Sequence, residues 1–169
     1  MGLQLDRGLY GPLVVEPKNE GFDHDREYTL MLDDWLDGTP GTPDDALEEL
    51  RSSGGGMMGG MDSGDILYPL YLVNGLPPEN PDTLEVRRGE RIGLRLMNPA
   101  AENRLPLRGG GAQAHRQPRR RPVEPVTVDA VRIGMGERYD VILEADNPGV
   151  RQLAAVPEGK GGLARAVLR

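Results

Sequence analysis

Three methionines stand close together in a glycine-rich run: Met57, Met58 and Met61 within GGGMMGGM, residues 54–61. Thioether sulfur is a soft ligand of the kind that suits Cu(I). Asp62 and Asp65 follow and could add oxygen donors. The plainer reading is a flexible Gly-Met loop that binds nothing, since glycine disfavours regular structure. Other residues with chemical potential are few. His24 lies between Asp23 and Asp25 in a charged stretch and reads as a surface histidine with no second ligand close in sequence. His115 and the run Arg119-Arg120-Arg121 fall in the single basic segment; clustered arginines suit a phosphate. The chain has no cysteine, which excludes disulfides and any thiolate metal site. No residue is assigned as catalytic, and Met57, Met58 and Met61 are the only metal candidates.

The elements that would position these groups are strands. Gly (24) and Pro (15) are abundant in 169 residues, so turns are frequent and β structure is favoured over α. Tyr71 to Gly75 is a short apolar run closed by an Asn-Gly turn. Leu84 and Val86, then Ile92, Leu94 and Leu96, alternate with polar residues on either side of Arg88-Gly89. That period of two, punctuated by Gly and Pro, predicts half-buried antiparallel strands. Tyr28, Leu30 and Leu32 predict another strand. So do Val126 and Val128 with Val131 and Ile133, and Tyr139, Val141 and Leu143. Leu153 to Val156 and Leu163 to Val167 complete the set, and LVV within residues 8–17 adds one at the start. Thr42-Pro43-Asp44-Asp45 predicts the start of a short helix running to about Arg51: a capping hydroxyl, Pro in the first turn, acids at the positive end of the dipole. About seven short strands or more at regular spacing predict a Greek-key β-sandwich. With one Phe and one Trp, its core must be mostly aliphatic; Trp35 and Tyr28 read as packing residues rather than substrate contacts.

The net charge of −7 reads as a solvated acidic surface, and nothing supports nucleic-acid binding. No run approaches the roughly 20 apolar residues that cross a bilayer, and Met1 to Asp6 lacks the basic head and apolar block of a signal peptide.

Residues 103–122 break the pattern. They hold six Arg and no acid, with no Val, Ile or aromatic residue and no alternation. The ordinary reading is a basic surface loop or an anion-binding insert, although so long a structureless loop is unusual inside a compact domain. Back-translation with GC-rich codons and a one-base shift gives a second reading. Ala112 to Arg121 becomes His-Arg-Leu-Thr-Val-Ser-His-Ala-Asp-Gly, which alternates and ends in an Asp-Gly turn, as a sandwich requires. A compensated frameshift, in the gene or in its sequence, is the inference.

Several stretches together resemble the multicopper oxidases, the laccase-like three-domain enzymes built from cupredoxin folds. GLYGPLVVEP (Gly8 to Pro17) is similar to the end of their first domain. EYTLMLDDW (Glu27 to Trp35) resembles the first strand of their second. YPLYLVNG (Tyr68 to Gly75), LEVRRGERIGLRLMN (Leu84 to Asn98) and IGMGERYDVILEADNPG (Ile133 to Gly149) resemble that domain's body, in the same order.

The resemblance implies an all-β cupredoxin-like Greek-key sandwich. Residues 1–17 would be the truncated end of domain 1, 18–26 a linker and 27–169 domain 2, with 103–122 frameshifted. It also implies a parent that oxidises phenolic or metal-ion substrates with copper and reduces O2 to water. In that family a type 1 copper accepts electrons and a trinuclear cluster lies between the first and third domains. The second domain holds no catalytic copper; it spaces the other two and helps shape the substrate cleft. This chain would then be an inactive fragment whose partners are the missing first and third domains, with residues 1–17 poorly packed, and the parent would be periplasmic or secreted. The rival reading is a stand-alone, metal-free cupredoxin-like module whose Met loop binds Cu(I).

Overall fold

The computed structural model describes residues 3–15, 18, 23–52, 68–100, 107–116 and 126–169, the stretch 107–116 by its backbone. The strands are β1 (Arg26–Trp35), β2 (Leu70–Val73), β3 (Asp82–Leu84), β4 (Arg91–Met97), β5 (Leu107–Arg116), β6 (Val126–Val131), β7 (Arg138–Glu144), β8 (Arg151–Ala155) and β9 (Ala164–Leu168). One helix, α1 (Pro43–Ser52), lies between β1 and β2. The strands join in the order β2-β1-β4-β7-β5-β8-β9-β3, with β6 paired to β5. The sheet doubles over to form the all-β sandwich that the alternation predicts. Its halves enclose Leu30, Leu32, Ile92, Leu94, Leu96, Val141 and Leu143 from one side and Leu84, Leu153, Ala155, Ala164 and Ala166 from the other. Aliphatic side chains fill most of this core.

Local chemistry accounts for the element ends. At α1, the Asp45 N–H donates to Thr42 Oγ1 (3.2 Å) and the Thr42 N–H donates to the Asp45 carboxylate (3.0 Å), a reciprocal cap. After β2, Asn74 and Gly75 both adopt positive φ (52° and 76°), the geometry of the two-residue turn that Asn-Gly favours. The Asn74 side chain then donates to Thr29 O (3.1 Å) and accepts from Met31 N–H (2.9 Å), which fastens the turn to β1. Buried Asn98 donates to Ile133 O (3.1 Å), and its own carbonyl accepts from Gly136 N–H (2.7 Å). The end of β4 is thereby fixed to the turn before β7. Across β1 and β4, Glu27 holds Arg95 at 2.7 and 2.8 Å.

The structure corrects three expectations. First, β3 and β4 are not antiparallel neighbours: β3 runs parallel to β9, while β4 runs parallel to β1 and antiparallel to β7. Alternation fixes the face a strand buries, not its neighbour. Second, no strand forms among the described residues 3–15 at the chain's start. Residues 9–15 carry no regular structure, and Leu13 and Val15 are 85% and 76% exposed. A single extended segment needs a sheet edge to become a strand. Third, of the two readings of 103–122, the loop is overturned for Leu107–Arg116, which is strand β5.

Gly162 shows how closely the halves meet. It has φ +99°, and a Cβ there would lie 2.9 Å from the Tyr71 ring. Gly159 has φ +73° and open space around it. Gly159→Ala is therefore expected to cost about 1–2 kcal/mol of backbone strain. Gly162→Ala adds the clash and is expected to cost about 1–3 kcal/mol more; urea denaturation of the pair measures the difference.

Candidate functional site

β1 places two acids side by side. Its core face carries Leu30, Leu32 and Asp34, because successive side chains alternate. Asp33 therefore belongs to the outer face, with Trp35, and in the pairing with β2 it stands opposite Leu72. An outer-face carboxylate is expected in water, yet Asp33 is 3% exposed. Leu72 is buried too, although it does not belong to the main core cluster.

The cover comes from the chain's start. Residues 3–8 form turns, with Gly8 N–H donating to Leu5 O and Leu9 N–H to Gln4 O, each at 2.9 Å. Gly8 takes φ +74° and lies against the Trp35 ring, so close that a Cβ would be 3.2 Å from it. The Tyr10 hydroxyl donates to the Asp33 carboxylate. The Tyr68 hydroxyl donates to Asp6 at 2.7 Å, and Arg7 pairs with Asp44 at the start of α1. Residues 3–10 are thus clasped onto the sandwich, which corrects the expectation of poor packing for that part of residues 1–17. Beyond Tyr10 the segment is exposed.

Burial pushes the Asp33 carboxyl up to about 6; the Tyr10 hydrogen bond opposes that rise and the charge of Asp34 adds to it. Tyr10 is raised as well, first by burial and then by its bond to Asp33. The arrangement can hold a segment and respond to a proton.

A separate cleft of about 390 Å³ opens beside β4, β7, β8 and β9. Val86, Ile92, Leu143, Leu153 and Leu168 line it, with Arg151 and Asp146 among its polar residues.

Met57, Met58 and Met61, with Asp62, Asp65 and Arg119 to Arg121, lie outside the described residues. His115 falls on β5. His24 precedes β1, its Nε2 3.4 Å from the Glu27 carboxylate and its ring against Gly93. Tyr28 donates to Glu85 O (2.7 Å) and Trp35 Nε1 to Asp37 O (2.7 Å), both as packing residues. The pair Asp33 and Tyr10 went unrecognised in the sequence. Its one local signal is an acid next to another acid at the end of an apolar strand.

The model of the multicopper oxidase family matches residues 26–169. The chain belongs to the multicopper oxidase family. Among curated relatives, multicopper oxidase MmcO of Mycobacterium tuberculosis is 40% identical over 99% of this chain and 36% of its own length. The chain spans about a third of the length of the first curated relatives it matches. Among solved structures, the blue copper oxidase of Nitrosomonas europaea aligns with a TM-score of 0.66 and 28% identity, over 96% of this chain and 50% of that one. Fet3p, a multicopper oxidase that functions in iron import, aligns with a TM-score of 0.72 over 92% of this chain and 30% of that one; at 15% identity it shows the shared fold.

A blue copper site, of the kind the family implies, does not fit this chain's own donors. A blue site needs a thiolate and the sequence has no cysteine; its histidines are His24 and His115 alone. Among the described residues no three His, Cys, Asp or Glu side chains gather into a metal-binding group. No helix among them is long and apolar enough to cross a membrane.

Removing the Tyr10 hydroxyl takes a donor from a buried carboxyl and leaves it the Asp34 backbone N–H. Tyr10→Phe is expected to cost about 1–3 kcal/mol. Tyr68→Phe, whose partner Asp6 is partly exposed, should cost about 1 kcal/mol or less. Chemical denaturation of both variants against the wild type checks the order.

Proposed function

We propose that this chain is the second cupredoxin domain of a longer multicopper oxidase, a sandwich without copper of its own that spaces two neighbouring domains. The carrying observation is the pairing of a family match across residues 26–169 with a chain that lacks the cysteine of a blue site. The coverage of about a third of the curated relatives supports the reading.

In this reading residues 1–17 end the first domain, 18–26 link and 27–169 form the second domain. The parent oxidises phenolic or metal-ion substrates with copper and passes the electrons to O2, outside the cytoplasm. This chain's own residues contribute geometry. The exposed Leu13 and Val15 are the inner residues of a strand whose sheet lies in the first domain. Residues 3–10 hold that strand's exit against β1.

Residues 103–122 are read as frameshifted. Support comes from β5, a strand that contacts β6, β7 and β8 yet carries Gly109 to Gly111 and no β-branched or aromatic residue.

The test is copper loading and oxygen uptake. The purified chain, incubated with copper, is expected to develop no intense blue absorption and to consume no O2 with a phenolic substrate. A longer reading frame with both neighbouring domains is expected to do both. Substrate-dependent O2 uptake by this chain alone would overturn the reading.

A further inference from the structure

We propose that residues 3–10 form a proton-controlled clasp: Asp33 and Tyr10 hold the segment on β1 when the carboxyl is protonated and loosen it when the carboxyl ionises. The inference rests on geometry internal to this chain and stands whether or not the parent is an oxidase.

Asp33 is on the outer face of its strand, so the sandwich core does not bury it. Its burial depends on the segment lying over β1, with Tyr10 on the carboxylate and Gly8 on the neighbouring Trp35 ring. Titratable groups face Asp33 from the segment and from its own strand. From the segment come Tyr10 and, further off, the charge of Asp6; from its own strand comes Asp34. β2, the neighbouring strand, is Leu-Tyr-Leu-Val and brings no charge, with Leu72 directly opposite. Among the described residues, no cation is among the groups that act on Asp33. Arg7, in the same segment, is engaged by Asp44. An ionised Asp33 therefore stays under cover against both desolvation and two like charges, with the Tyr10 hydroxyl and the Asp34 backbone N–H as the donors in its favour.

The sign follows. The clasped state raises the carboxyl to about 6, whereas an uncovered Asp33 returns toward the ordinary 3.8. The clasped state binds the proton more tightly, so clasping is strongest below the ordinary value and weakens as pH rises through about 6. Between pH about 5 and about 7.5 the clasping equilibrium is expected to fall by up to roughly tenfold. Release frees residues 3–10 together with the exposed apolar stretch that follows, and so changes the angle at which that stretch leaves the sandwich.

Amide hydrogen exchange of Gly8 and Leu9 reads the clasp, since both N–H groups are bonded only within the folded segment. Corrected for intrinsic rates, their protection is expected to drop several-fold to tenfold from pH about 5 to about 7.5, while Leu94 in the sheet stays constant. Asp33→Asn keeps an acceptor for Tyr10 and removes the charge, so its protection is expected to be high and equal at both pH values. Tyr10→Phe is expected to lower it at both. Quenching of Trp35, the chain's one tryptophan, by acrylamide needs no variant and is expected to increase over the same range. Constant protection and constant quenching in the wild type would overturn the proposal, as would the same pH response in Asp33→Asn.

Discussion

Strand β5 joins the two halves of the molecule. It pairs with β7 through Gln113 to Arg116 and with β8 through Leu107 and Arg108, while β6 runs along it with a register shift between Arg108 and Ala112. In the order β2-β1-β4-β7-β5-β8-β9-β3, it is the one link between β7 and β8. Without it the sheet would separate into two parts with open edges, and an open edge invites pairing with other chains. The apolar faces that meet over Leu30, Leu94 and Leu153 depend on that link being made. The strand under this demand has the residues least suited to it: glycines at 109 to 111 and no β-branched side chain. Local propensity and global fold conflict there, and a sequence that specifies one structure is expected to agree at both levels.

The outer face of β1 presents a second conflict, and the fold resolves it. A carboxylate there needs water or a donor. The start of the chain removes the water and supplies the donor, from Tyr10. The same cover seats Gly8 on Trp35, where any side chain would push the ring away. Polar contacts to Asp44, Tyr68 and Asp33 do the holding, so the clasp is specific but weak beside a hydrophobic interface. Such a contact suits a junction whose angle responds to conditions better than one that must never open.

Much of the fold was legible because it depends on nearest neighbours. Ile92, Leu94 and Leu96 alternate and are buried; Asn74-Gly75 turns; Thr42 caps α1. What could not be read was non-local. The pattern of Leu84 and Ile92 does not say that β9 and β1, rather than each other's strands, are the partners. The same rule that put Asp33 opposite to Leu32 made it a solvent-facing residue, and its cover arrives from a tyrosine 23 positions away. Leu13 to Val15 had the composition of a strand but no edge to join. The family resemblance was legible from motifs in order, and the match over residues 26–169 bears it out. The Met57, Met58 and Met61 cluster falls outside the described residues.

Sequencing the coding DNA from well before codon 1 to well past codon 169 tests the proposed parentage most directly. The predicted result is a single-base change near codon 103 and a compensating one near codon 122, with histidine-rich cupredoxin coding sequence continuing in frame on both sides. An unaltered frame through 103–122, closed by stop codons at both ends, would contradict it: β5 would then be the native strand and the chain a small protein in its own right.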